Sequence, residues 1–141
     1  MRSSLDLLIV DDNASQLHLV RALVRELGFS HRCYSATSGK LALDFLNRRP
    51  PYEHAPRPNL ILLDFNMPEM SGCEVLQNIK GDPEFRSIPI IMLSSSRSLQ
   101  DVNACYQGYA NAYLHKPFDL EGTRRILEDI DRFWSQVEVP G

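Results

Sequence analysis

The chain is 141 residues long, 43% hydrophobic and 23% charged, with a formal net charge of −3. That is enough chain to bury one substantial core, with the composition of an ordinary globular domain. The slightly acidic balance excludes the basic footprint of a direct nucleic-acid binder, and no apolar run approaches the about 20 residues of a membrane span.

In chain order, Leu7–Val10 is a short apolar run of strand type, closed by Asp11 and Asp12. Leu17, Val20, Leu23, Val24 and Leu27 then recur at helical spacing, and Gly28 supplies the stop. His31–Tyr34 predicts a weaker strand, and Ser38 can cap a helix whose apolar face includes Leu41, Phe45 and Leu46. The stretch Arg48–Asn59 holds Pro50, Pro51, Pro56 and Pro58 and reads as an exposed loop. Leu60–Leu63 is the next strand, ending on Asp64, and Gly72 opens a helix bearing Val75, Leu76 and Ile79. Ile88–Leu93 predicts a fourth strand. Ser98 and Asp101 have the spacing of a capping box ahead of a helix to Gln107. Ala112–Leu114 is the last strand. Asp119 caps a long helix with a seam of Leu120, Thr123, Leu127, Ile130, Trp134 and Val137, widened by Ile126 and Phe133.

Strand and helix alternate throughout, which argues for a doubly wound parallel α/β sheet. The unbroken apolar character of the strands fits, because parallel strands are covered on both faces. A single domain is expected over residues 1–141, with core elements over 5–118, the fifth helix over 119–138, and no output domain. The N-terminus lacks a signal peptide, and Cys33, Cys73 and Cys105 form no CxxC, so a cytoplasmic protein with reduced thiols is expected. His18, His31, His54 and His115 show no zinc-site spacing.

Ligands of open parallel sheets bind outside the carboxyl ends of the strands. Asp11, Asp12, Asp64, Ser94 and Lys116 all follow strands there, so they converge on one edge, with Asp64 at the mouth of the core. Two unit charges about 4 Å apart interact by roughly 4 kcal/mol at an effective dielectric near 20, so three carboxylates require a cation. Hard oxygen donors in a hydrated site suit Mg²⁺. Lys116 adds an ammonium for Asp64 or a phosphoryl oxygen, and the Ser94 hydroxyl can donate to that oxygen. Such a pocket fits phosphoryl transfer with Asp64 as nucleophile.

These residues give the chain a family likeness. VDD (Val10–Asp12), LLDFNMPEMSG (Leu62–Gly72), IMLSSS (Ile91–Ser96) and YLHKPF (Tyr113–Phe118) resemble the motifs of response regulator receiver domains, over essentially the whole chain. The resemblance implies a flavodoxin-like sheet of order 2-1-3-4-5, with Asp64 as phosphoacceptor and Asp11, Asp12, Asp64 and the Asn66 carbonyl around Mg²⁺. It implies Ser94 as the switch hydroxyl, Tyr113 as the switch aromatic, Lys116 as the conserved-type lysine, and a cis bond before Pro117. Asn66 and Ser96 fall where the family tunes autodephosphorylation. The segments PPYEHAPRPNLILLD, IKGDPEFRSIPIIML and DIDRFWSQVEVP are similar to single-domain regulators paired with bacterial phytochrome histidine kinases. That likeness implies a histidine kinase partner, a homodimer through the fifth helix, and a switch that repacks the face of the fourth helix, fifth strand and fifth helix. Two rivals stand beside this reading. A haloacid-dehalogenase-type phosphatase needs a second acid where Asn66 stands, and a phosphorylation-independent module on the same fold would be expected to lose the acids or the lysine.

Overall fold

Parallel strands covered on both faces are written as continuous aliphatic runs. The computed structural model, which describes residues 4–117 and 119–138, sets five strands side by side. The three central ones hold such runs, LLIV, LILL and IIML, while the edge strands RCYSA and AYLH are only partly covered. The elements are β1 (Asp6–Val10), α1 (Ala14–Glu26), β2 (Arg32–Ala36), α2 (Gly39–Leu46), β3 (Leu60–Asp64), α3 (Gly72–Lys80), β4 (Ile90–Ser94), α4 (Leu99–Gln107), β5 (Ala112–His115) and α5 (Leu120–Trp134). The sheet is parallel throughout, in the order β2-β1-β3-β4-β5.

Alternate strand residues feed two cores. Leu8, Val10, Ile61, Leu63, Ile90 and Met92 pack under α2 and α3, joined by Cys105 of α4. Leu7, Ile9, Leu60, Leu62 and Ile91 pack under α1 and α5. The helices thus lie on both faces, leaving the carboxyl ends of the strands open. Among the described residues no helix is long and apolar enough to cross a membrane.

Four expectations need correction. β4 starts at Ile90, because the Ile88 N–H turns back to the Phe85 carbonyl at 3.0 Å and Pro89 has no N–H to give. The capping box at Ser98 does not form: Ser98 makes no side-chain cap, and Asp101 instead accepts from the Ser96 hydroxyl at 2.6 Å. α5 ends at Trp134, four residues short of 138, where Ser135 Oγ and Gln136 Nε2 both donate to the Arg132 carbonyl and compete with helical hydrogen bonding, so Val137 lies beyond the helix. The cis bond expected before Pro117 is not found; among the described residues the one cis peptide joins Pro50 to Pro51. With the ordinary trans link, Lys116 still donates its backbone N–H to Ser94 at 2.7 Å and carries its ammonium to the strand ends.

Candidate functional site

The register brings the acids together. Val10 pairs with Leu63, so Asp11 and Asp64 leave their strands at the same level, and Asp64 pairs with Leu93, one residue before Ser94. Ser94 pairs with His115, which carries Lys116 just past the same edge. Carboxylate oxygens of Asp11, Asp12 and Asp64 lie within 4.8 Å of one another. The Lys116 Nζ donates to Asp11 Oδ2 at 3.0 Å and to Asp64 Oδ2 at 3.1 Å.

Backbone turns aim these groups. Asp11 Oδ1 accepts the Asn13 N–H at 2.9 Å, and Asn13 then caps α1 by accepting from Gln16. Asp64 Oδ1 accepts the Asn66 N–H at 3.1 Å. Both Asp64 oxygens therefore keep a lone pair for other partners. Asp64 is only 4% exposed, so it is covered more deeply than a position at the mouth implies; the roof is Lys116. Beneath the pair lies a cavity of about 30 Å³, walled by Ile9, Leu62, Leu93, Thr123 and Leu127, which has room for about one water. A phosphoryl donor must approach from outside.

Burial pushes the Asp64 carboxyl up from its ordinary value, and the hydrogen bond and charge of Lys116 only partly offset this. Burial also acts to lower Lys116, but the hydrogen bonds and charges of two carboxylates outweigh it and hold the ammonium above its ordinary value. Three carboxylates facing one ammonium leave net negative charge on a compact set of hard oxygens. Asp12 is exposed. This donor set fits a divalent ion of the oxygen-seeking kind.

A second line of contacts runs from the site to α4. Ser94 is fully buried; its Oγ accepts the Ser96 N–H at 3.0 Å and donates to Asn66 Oδ1 at 3.4 Å. The half-buried Tyr113 donates its hydroxyl to the Ser96 carbonyl at 2.9 Å. Ser96, in a position tied by resemblance to autodephosphorylation, commits its own hydroxyl to Asp101. Asn66 is exposed beside Asp64, and Phe118 of the YLHKPF motif lies outside the described residues. Sequence reasoning missed Tyr106, whose hydroxyl accepts the Tyr113 N–H at 3.1 Å. It also missed Glu69, whose φ of 65° bends the loop between β3 and α3. Neither carries a spacing signal.

Comparisons with known proteins give the family and the fold. The family model "Response regulator receiver domain" matches residues 7–128. Response regulator Rcp1 of Synechocystis sp. is 36% identical over 131 residues, covering 93% of this chain and 89% of that protein. The solved structure of the Mn(2+)-bound form of Rcp1 matches with a TM-score of 0.87 at 35% identity, over 97% of this chain and 99% of that one. The phosphorylated cyanobacterial phytochrome response regulator RcpA matches with a TM-score of 0.89 at 31% identity, over 99% of this chain and 100% of that one.

Proposed function

The chain belongs to the response regulator receiver family, a phosphoacceptor of two-component signalling rather than a turnover enzyme, and from that premise we propose that Asp64 is its acceptor. The observation that carries this reading is the Lys116 ammonium bridging Asp11 and Asp64 beneath an open strand edge, with Asp12 beside them. Asp11, Asp12, Asp64 and the Asn66 carbonyl would hold Mg²⁺, the metal we favour for a small hydrated oxygen site. Bound there, the ion would neutralise the charge of the phosphoryl oxygens. An Asp64 oxygen attacks phosphorus as the N–P bond of a phosphohistidine breaks, leaving phosphoaspartate and a free imidazole. Lys116 stays within reach of an oxygen on Asp64, and the Ser94 hydroxyl leaves Asn66 to donate to a phosphoryl oxygen. Tyr113, already half-buried against the core with its hydroxyl on the Ser96 carbonyl, then packs deeper and the α4–β5–α5 face repacks.

We infer that the donor is a cytoplasmic histidine kinase of the bacterial phytochrome type. The regulators of similar sequence and fold, one of them a phytochrome response regulator by name, support this. We also propose a homodimer through α5, where Phe133 is 62% exposed and stands edge-on to Trp134 at 5.6 Å.

Acetyl phosphate with Mg²⁺ should label the chain to about one phosphate, and Asp64→Asn should abolish labelling; a variant that still labels refutes the assignment. Phosphotransfer from a phytochrome kinase, compared with other histidine kinases, tests the partner. Phe133→Asp should convert a dimer into a monomer in sedimentation, and a native chain that stays monomeric at all concentrations in both phosphorylation states counts against the α5 contact.

A further inference from the structure

α4 has the least apolar anchorage of the helices flanking its core: Cys105 is its one buried side chain, whereas α3 buries Gly72, Val75, Leu76 and Ile79. Two polar pins hold it instead. At its first turn Asp101 accepts from Ser96 Oγ at 2.6 Å. At its last turn the phenol oxygen of Tyr106 accepts the backbone N–H of Tyr113 at 3.1 Å. Tyr113 lies on β5, an edge strand, so this N–H points away from the sheet with no strand to receive it.

From that pin a continuous run of hydrogen bonds reaches the acceptor site. Tyr113 Oη donates to the Ser96 carbonyl, the Ser96 N–H donates to Ser94 Oγ, and Ser94 Oγ donates to Asn66 Oδ1. For Ser94 to serve a phosphoryl oxygen on Asp64 it must leave Asn66, and the loop after β4 must move with it. That loop is tied to α4 through Ser96 and Asp101, so α4 must yield as well. Whatever pins α4 to β5 therefore opposes phosphorylation. The coupling is reciprocal, because a bond that favours one state at one end favours it at the other.

We propose that Tyr106 is a positioning residue of the switch: its hydroxyl, seated on the outer N–H of Tyr113, holds α4 against β5 and so restrains the movement of Ser94 toward Asp64. This rests on the roles given above to Asp64 and Ser94. Tyr106 is 48% exposed, so water shares the bond and the restraint is modest.

Tyr106→Phe in the full chain keeps the ring and removes only the hydroxyl. The Tyr113 amide should then exchange with solvent faster, and the acetyl phosphate concentration giving half-labelling in Mg²⁺ should fall, each by about two- to tenfold. Asp101→Ala, which releases the other pin, should lower the half-labelling concentration in the same direction. Faster exchange with native labelling overturns the proposal, because the hydroxyl then merely covers a strand edge; slower labelling of Tyr106→Phe overturns it as well. A native chain that takes up no phosphate fails the functional reading and carries the inference down with it. A native chain labelled on Asp64, with an identical Tyr106→Phe, removes the inference alone.

Discussion

Asp64 and Lys116 show how one ion pair is pulled in opposite directions by its surroundings. Burial raises the Asp64 carboxyl in spite of Lys116, so the fold holds the proton more tightly than the unfolded chain does. Between the ordinary carboxylate range and the raised value the native state binds more protons than the unfolded state, so stability falls as pH rises through that window. Below the ordinary range the contribution is fully present; above the raised value it is gone. In chelator, Asp64→Asn should therefore melt higher than the native chain at neutral pH, with the gap closing on acidification, since Asp11 still holds Lys116. Millimolar Mg²⁺ should reverse the order, because a ligand at a hundredfold excess over its Kd stabilises the chain that binds it by about 2.7 kcal/mol. Thermal scans at several pH values, with and without the ion, check both halves. A lower melting point for Asp64→Asn in chelator would contradict the burial argument.

α3 is placed by its first turn. Gly72 donates its N–H to the Phe65 carbonyl at 3.0 Å, and a Cβ there would run into the Asp64 carbonyl and stand 2.7 Å from the Phe65 Cα. Ser71 and Glu74 close a capping box around the same turn, so the helix start is locked against the end of β3. Gly72→Ala should push α3 away from the acceptor, costing about 1–3 kcal/mol of stability and slowing acetyl phosphate labelling together. Labelling at the native rate in a destabilised variant would separate the helix start from the site. Elements of this kind were legible in the sequence because their signals are local. The run Leu60–Leu63 marks a doubly covered strand, and Asp11, Asp64 and Lys116 mark strand ends by position alone. The capping box at Ser71 and Glu74 has its own local S-x-x-E signature. Other features depended on competition between partners. Asp101 has the spacing to serve the start of α4, but the Ser96 hydroxyl takes it, and nothing in the spacing of Ser96, Ser98 and Asp101 decides that contest. The tie between Tyr106 and Tyr113 joins a side chain to a backbone amide, so residue patterns do not record it.

Across the whole molecule the two helices beside β5 are held in contrasting ways. α5 buries Thr123, Leu127, Ile130 and Asp131, and Asp131 Oδ1 meets His31 Nε2 at 2.8 Å across a sequence separation of 100 residues. His31 Nδ1 accepts the Leu5 N–H at 2.9 Å, which leaves Nε2 as the protonated nitrogen and the donor to Asp131. The ring is almost fully covered, so this contact ties α5 to the starts of β1 and β2, at the end of the sheet remote from Asp64. α4, with one buried side chain and two polar pins, has no such anchor. A signal at the strand ends therefore meets one helix held mainly by two polar pins and another anchored in the core, and amide exchange should be faster in α4 than in α5. Asp131→Ala leaves the buried His31 N–H without this partner, a loss of about 1–3 kcal/mol that lowers the melting temperature and speeds exchange along α5. Because the clamp touches none of the hydrogen bonds between Tyr113 and Asp64, acetyl phosphate labelling of the folded variant should keep its native rate. If labelling fell with the clamp, the anchorage of α5 at the far end of the sheet would feed into the acceptor site, and the separation of the clamp from the switch would be wrong.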